Sequence, residues 1–218
     1  MSCCEFTMKQ RIMLFTPIVL ILTMYAAFRG LVAILGFPLG YLAAFLIYWI
    51  GWCIILPLLV LKCSGVLNLF RETKPRFGKT AWKTLALLLW PLPFPILFRF
   101  LPKLPEVNLS IIFISIIIGV ITGITEEILW RGVYVRVFPN NIWLSYIYPS
   151  IGFALWHICP QSVLSNPAPG GMASFVFFAL LLGLSWGYYA RKTNSIRWCT
   201  IVHCIHDSFG LGAFIYFS

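Results

Sequence analysis

The sequence predicts an all-α protein, a polytopic membrane bundle of about seven helices, and three observations carry that reading. Of its 218 residues 61% are hydrophobic and 10% charged, with a mean hydropathy of +0.92. A soluble domain has roughly 45–50% apolar and about 25% charged residues, so a water-soluble monomer would have nowhere to put the surplus apolar surface. Apolar runs recur at the length a helix needs to cross a hydrocarbon core, about 20 residues. They fall at 12–28, 41–61, 81–100, 108–136, 142–158, 173–190 and 198–217. Finally, the basic residues collect on alternate connections, as cytoplasmic loops require.

Taken in order, the first run follows Lys9 and Arg11 as the core of a signal peptide would. The rest of the chain is equally apolar, so it reads as an uncleaved first helix. Residues 31–40, with Gly36, Pro38 and Gly40, suit a loop, a re-entrant turn or the start of a long second helix, which leaves six to eight spans open. The connection 67–83 is the longest polar one. GxxxG patterns at Gly119/Gly123 and Gly183/Gly187 mark faces on which helices approach closely. No repeat or linker divides the chain, so residues 1–218 read as one integral membrane domain.

With the N-terminus in the cytoplasm, Lys9, Arg11, Lys62, Arg71, Lys74, Arg76, Lys79, Lys83, Arg131, Arg136, Arg191, Lys192 and Arg197 fall inside, 13 of 16 basic residues. Arg29, Arg99 and Lys103 stay outside, and the loop 159–172 has no charge. The expected location is a cell membrane, crossed several times. The same pattern removes nucleic acid as a partner. The net charge of +10 punctuates apolar runs and does not form a water-facing patch. Seven cysteines, an odd number scattered over spans and loops, form no disulfide framework, although Cys3 and Cys4 beside the first helix are acylation candidates.

Only six residues are acidic, and Glu126, Glu127 and Asp207 lie in apolar stretches with all three histidines, His157, His203 and His206. Ionisable groups at membrane depth cost several kcal/mol and mark function when they gather. At about 1.5 Å of rise per residue, Glu126 and His157 lie roughly 18 and 22 Å from the cytoplasmic ends of their helices, His203 and Asp207 roughly 9 and 15 Å. Glu127 and Arg131 are i,i+4 in the order that favours an ion pair, which leaves Glu126, about 100° away, to face the other groups. His203 and Asp207 also share a face. The bland alternative is polar glue between helices.

Such a set can hydrolyse an amide: a buried glutamate takes a proton from water and histidines stabilise an oxyanion. Other designs fail on counting. The chain has one Asp, too few for a two-aspartate protease, and no HExxH zinc motif. A serine–histidine dyad would need Ser185, which is followed by the bulky Trp186.

Glu126-Glu127-x-x-x-Arg131, Phe153-x-x-x-His157 and His203-x-x-x-Asp207 together resemble the CAAX-protease and bacteriocin-processing family, also called Abi, which includes the Ras-converting CAAX endoproteases. The resemblance covers about residues 80–217; the first 80 contribute only topology. It implies a glutamate-dependent intramembrane endopeptidase opening to the cytoplasm, with Glu126 as base, His157 positioning the water, and His203 with residue 207 serving the oxyanion. Glu127, Arg131 and Phe153 would support that geometry. The family more often has Asn at position 207, and an ionised Asp cannot donate a hydrogen bond. Asp207 is therefore either protonated or orients a histidine. No cofactor is required, but Glu126, His157, His203 and Asp207 would also suit a divalent ion, zinc foremost. Cys199, His203, Cys204 and His206 form a weaker set.

The expected partners are the lipid bilayer and a peptide or lipidated, in particular prenylated, protein substrate. Two other readings compete: a non-catalytic binding or bacteriocin-immunity protein of the same fold, and a small transporter or proton relay.

Overall fold

A computed structural model of the chain describes residues 6–72 and 81–213, apart from the side chain of Ala81. The acylation candidates Cys3 and Cys4, the basic residues Lys74, Arg76 and Lys79, and the end of the run 198–217 lie outside the described residues. Every regular element among the described residues is helical. Seven helices form in the predicted order. They are α1 (Met8–Leu35), α2 (Leu39–Phe70), α3 (Trp82–Lys103), α4 (Leu109–Val137), α5 (142–156), α6 (Gly171–Thr193) and α7 (Arg197–Phe209).

Five of them, α1 to α4 and α6, are long and apolar enough to cross a bilayer. The other two of the seven are shorter. The helix α5 is 15 residues, then bends at His157 into a short turn at Ile158–Gln161, and α7 has 13 residues. Both lie among longer helices, where neighbouring side chains take over the shielding that lipid would otherwise provide. The ambiguous stretch 31–40 holds the end of α1, a turn at 36–38 and the start of α2: Gly36 at φ 75 ends α1, and α2 starts at Leu39.

Local chemistry sets the helix ends. Thr7 and Gln10 form a capping box at the start of α1, and Asn108 accepts the Ile111 N–H at 2.9 Å to open α4. Asn194 in the left-handed region closes α6. The connections gather at two ends of the bundle. At one, Gln10 donates to the Val137 carbonyl, Arg136 to that of Asn68, Ile196 N–H to that of Leu69, and Lys192 to Thr84 Oγ1. Lys9, Arg11, Lys62, Arg71, Lys83, Arg136, Arg191, Lys192 and Arg197 lie toward this end. At the other, Arg29 and Arg99 donate to Ser162 and Asn166 of the uncharged loop. One residue departs from the expected charge pattern. Arg131 is no loop residue; it is buried within α4.

Lipid tails are as apolar as leucine, so helices in a membrane associate through close packing and polar contacts. Both GxxxG faces serve this. A Cβ at Gly119 or Gly123 would stand 2.5 Å from Ser208 N or 2.6 Å from Cys204 N of α7. At Gly183 and Gly187 it would press on Ser150 and Tyr146 of α5. Elsewhere aromatic rings make the contact: Phe28, Tyr41, Tyr48, Trp49, Trp130, Phe153 and Trp156 join α1, α2, α4 and α5 in one core. A second core surrounds Trp186 and Tyr189 of α6 with Leu69, Leu88, Ile128 and Val202. Helix α4 borders both.

Candidate active site

Residues 125–135 of α4 are buried on every side, and from Ile128 to Val133 the helix widens into a π turn. A helix enclosed all round is the centre of its bundle. Both glutamates and Arg131 sit on this stretch. Glu127 and Arg131 form the expected i,i+4 pair, Oε1 to Nη1 at 3.1 Å, fully enclosed. The Arg131 guanidinium lies 4.0 Å from the centroid of the Phe153 ring and 5.7 Å from that of Trp186. These faces substitute for water around a buried cation. Glu127 Oε2 and Arg131 Nη2 have no hydrogen-bond partner among the described residues.

The glycine seam brings α7 close enough for short side chains to reach α4. His203 Nδ1 lies 2.9 Å from Glu127 Oε1. Its Nε2 has looser neighbours, Asp207 Oδ2 at 3.4 Å and Glu126 Oε2 at 3.7 Å. Asp207 also meets His206 Nδ1 through Oδ1 at 3.0 Å. Glu126, Glu127, Arg131, His203 and Asp207 therefore form one connected cluster. Within it Glu126 is the carboxylate with the loosest ion-pair contact.

The sequence reading paired Glu127 with Arg131 alone, and the structure adds His203 to that pair. The imidazole bridges both glutamates because α7 packs against the face of α4 that carries them.

His157 stands apart. Its Nδ1 lies 2.7 Å from the Phe153 carbonyl, and its ring packs against Phe153, Trp156 and Phe175. A carbonyl only accepts, so Nδ1 carries the proton and Nε2 of the neutral ring is an acceptor. The Phe153 ring packs on both, its centroid 4.8 Å from that of His157 and 6.3 Å from that of His203. No hydrogen bond joins His157 to Glu126, His203 or Asp207 among the described residues. His157, His206 and Asp207 are half-buried, whereas Glu126, Glu127 and His203 are enclosed.

The ligand sets considered for zinc do not converge. Among the described residues no three His, Cys, Asp or Glu side chains gather as a metal site would require. Both His203 nitrogens already face carboxylates, and Cys199 Sγ is directed to the Trp186 carbonyl at 3.3 Å. Ser185 of the discarded dyad accepts from Trp90 Nε1 at 2.9 Å.

Two contributors escaped the sequence reading. Trp186 packs its ring 4.6 Å from that of His203. Tyr48 of α2 reaches the cluster from the first third of the chain, its hydroxyl facing the Glu126 carboxyl and accepting from Trp130 Nε1 at 2.8 Å. The expectation that the first 80 residues supply topology alone is thus corrected. Neither residue stands out in the sequence, because an aromatic in an apolar run carries no mark of its partner.

Residues 108–209 match the family model described as Rce1-like, type II CAAX prenyl endopeptidase Rce1-like. The match contains all three motifs and starts well after Tyr48. Comparison with curated proteins and with solved structures finds no match.

Proposed function

On the match of residues 108–209 to the Rce1-like type II CAAX prenyl endopeptidase model, which supports the CAAX-protease and bacteriocin-processing family, we propose that this multi-pass membrane protein is an intramembrane endopeptidase in which Glu126 activates water. The observation that carries the proposal is the division of labour between adjacent carboxylates. Glu127 is held at 3.1 and 2.9 Å by Arg131 and His203, while Glu126 has its nearest ion-pair partner at 3.7 Å. A base must be buried near its reactant and not already tied to a cation.

In the proposed reaction, water bonded to Glu126 gives the carboxylate a proton as its oxygen attacks the scissile carbonyl carbon. His203 is anchored through Nδ1 on Glu127, which leaves the loosely engaged Nε2–H for the developing oxyanion. Asp207 takes the second of the alternatives raised by its departure from Asn: it accepts from His206 and orients His203, and donates nothing. His157 accepts from water through Nε2. When the tetrahedral intermediate collapses the C–N bond breaks, and the proton held by Glu126 passes to the leaving amine. All steps use the side chains alone.

The surroundings support a lipidated substrate. A groove of about 440 Å³ between α5 and α6, walled by Ile151, Leu155, Ile158, Met172, Val176 and Phe177, is almost wholly apolar. An acyl or isoprenoid chain fits such a wall, and a membrane-associated, lipidated peptide would present its backbone to the cluster.

The test uses protein reconstituted in liposomes with a prenylated peptide ending in a CAAX-type sequence, and its unprenylated counterpart. Glu126→Gln is expected to lose cleavage by about 100-fold or more, the range of a general base. Cleavage by Glu126→Gln at the rate of the unaltered protein overturns the proposal.

A further inference from the structure

We infer that Tyr48 is a positioning residue for Glu126: its hydroxyl, fixed by Trp130, donates to the carboxylate and holds it toward the reacting water. The inference rests on the reading of Glu126 as base, and extends the site to a helix outside the matched segment.

The argument is an account of donors and acceptors. An indole N–H can only donate, so in the 2.8 Å contact between Trp130 Nε1 and the Tyr48 oxygen the tyrosine accepts. The single phenolic proton must then go elsewhere. Tyr48 is fully buried, and a buried hydroxyl proton left without an acceptor is costly. The groups facing it that can accept are the Cys53 sulfur and the Glu126 carboxyl; a thiol sulfur is a weak acceptor and a carboxylate a strong one, and Glu126 lies one helical turn from the Trp130 that fixes the hydroxyl. Trp130 and Glu126 are four residues apart on α4, so the helix that presents the carboxylate also sets the direction of the hydroxyl.

The ring cannot swing away. It stacks on Trp156 of α5 with centroids 3.6 Å apart and planes at 12°. Trp156 directly precedes His157, so one aromatic pair ties the support of Glu126 to the helix carrying the site's separate histidine. The other groups facing Glu126 are His203 and Asp207 of α7, Arg131 of its own helix, and the buried Cys53 of α2. Cys53 and Tyr48 both lie in the π turn Tyr48–Ile55, whose widened backbone turns both residues inward. Of these groups Tyr48 is the one uncharged hydroxyl donor. It can therefore hold the carboxylate without neutralising it, as an ion-pair partner would.

The test compares Tyr48→Phe, which keeps the ring stack, with the unaltered protein in the liposome assay. Loss of a hydrogen bond to a charged group predicts a kcat lower by about 10- to 100-fold with KM changed less than about twofold. Trp130→Phe, which leaves the hydroxyl unaimed, is expected to lower kcat by a smaller factor, about 3- to 10-fold. It serves as the second reading if Tyr48→Phe does not accumulate. A merely structural tyrosine would lower the yield of folded protein and leave kcat per folded molecule unchanged. If Glu126→Gln abolishes cleavage while Tyr48→Phe and Trp130→Phe keep full kcat, this inference alone is overturned. If Glu126→Gln still cleaves, the proposed function falls with it.

Discussion

The seam between α4 and α7 and the stack between α2 and α5 flank the same cluster and are built by opposite means. On the α7 side glycines remove side chains altogether, so that backbone atoms of Cys204 and Ser208 occupy the space where a Cβ would sit. On the α2 side the helices meet through rings, Tyr48 and Phe45 both packing on Trp156 of α5. The difference follows from reach. Glutamate, aspartate and histidine are short, and they meet across a seam only where the backbones nearly touch. A tyrosine is long enough to carry a hydroxyl across an apolar layer. The two walls should therefore fail differently.

The largest effect is expected on the polar wall. Arg131→Met leaves the buried Glu127 carboxylate with His203 as its remaining partner, and breaking such a pair costs about 3–5 kcal/mol. The variant should unfold at much lower denaturant or temperature in detergent, and adding Glu127→Gln should recover most of the loss. Arg131→Met with unaltered stability would show that the pair is solvated. Next comes Gly123→Val, which forces α7 outward. Overpacking costs about 1–3 kcal/mol, and separation of His203 from Glu127 should abolish cleavage in whatever protein still folds. Gly51→Ala is the control, since a Cβ there meets nothing within 4 Å and should change neither unfolding nor cleavage.

On the aromatic wall, Trp156→Phe preserves a ring under Tyr48 and should cost less than about 1.5 kcal/mol, read as a small shift in thermal unfolding. A shift as large as that of Arg131→Met would mean that the stack carries more than shape. The smallest effect belongs to neither wall. Lys103 and Glu106 pair at 2.7 Å but are about half exposed, so Lys103→Gln should move stability by less than about 1 kcal/mol.

What could be read in advance divides along the same line. The seven helices, the Glu127–Arg131 pair, both glycine faces and the polar residues of α4 and α7 were legible, because each leaves a signal within one helix: a length, an i,i+4 spacing, a charge in an apolar run. The His203 bond to Glu127 was not, since it depends on the rotation of α7 about its axis. Nor was the bond of His157 Nδ1 to the Phe153 carbonyl, which leaves it without a hydrogen bond to the cluster among the described residues, although the two residues were singled out together. Tyr48 was least legible of all. It lies 78 positions before Glu126 in a run of tyrosines, tryptophans and phenylalanines, and only tertiary packing distinguishes the one whose hydroxyl meets a carboxylate.

The Trp130–Tyr48 bond also bears on how the chain can be divided. It fastens a segment beyond the matched family region to the middle of that region, at the depth where the reacting groups sit. A fragment beginning near residue 108 would retain every recognisable motif and still expose Trp130 and Glu126 to lipid on one side. The unit of folding is therefore larger than the unit of sequence kinship, and the boundary drawn by similarity runs through the wall of the buried polar cluster instead of around it.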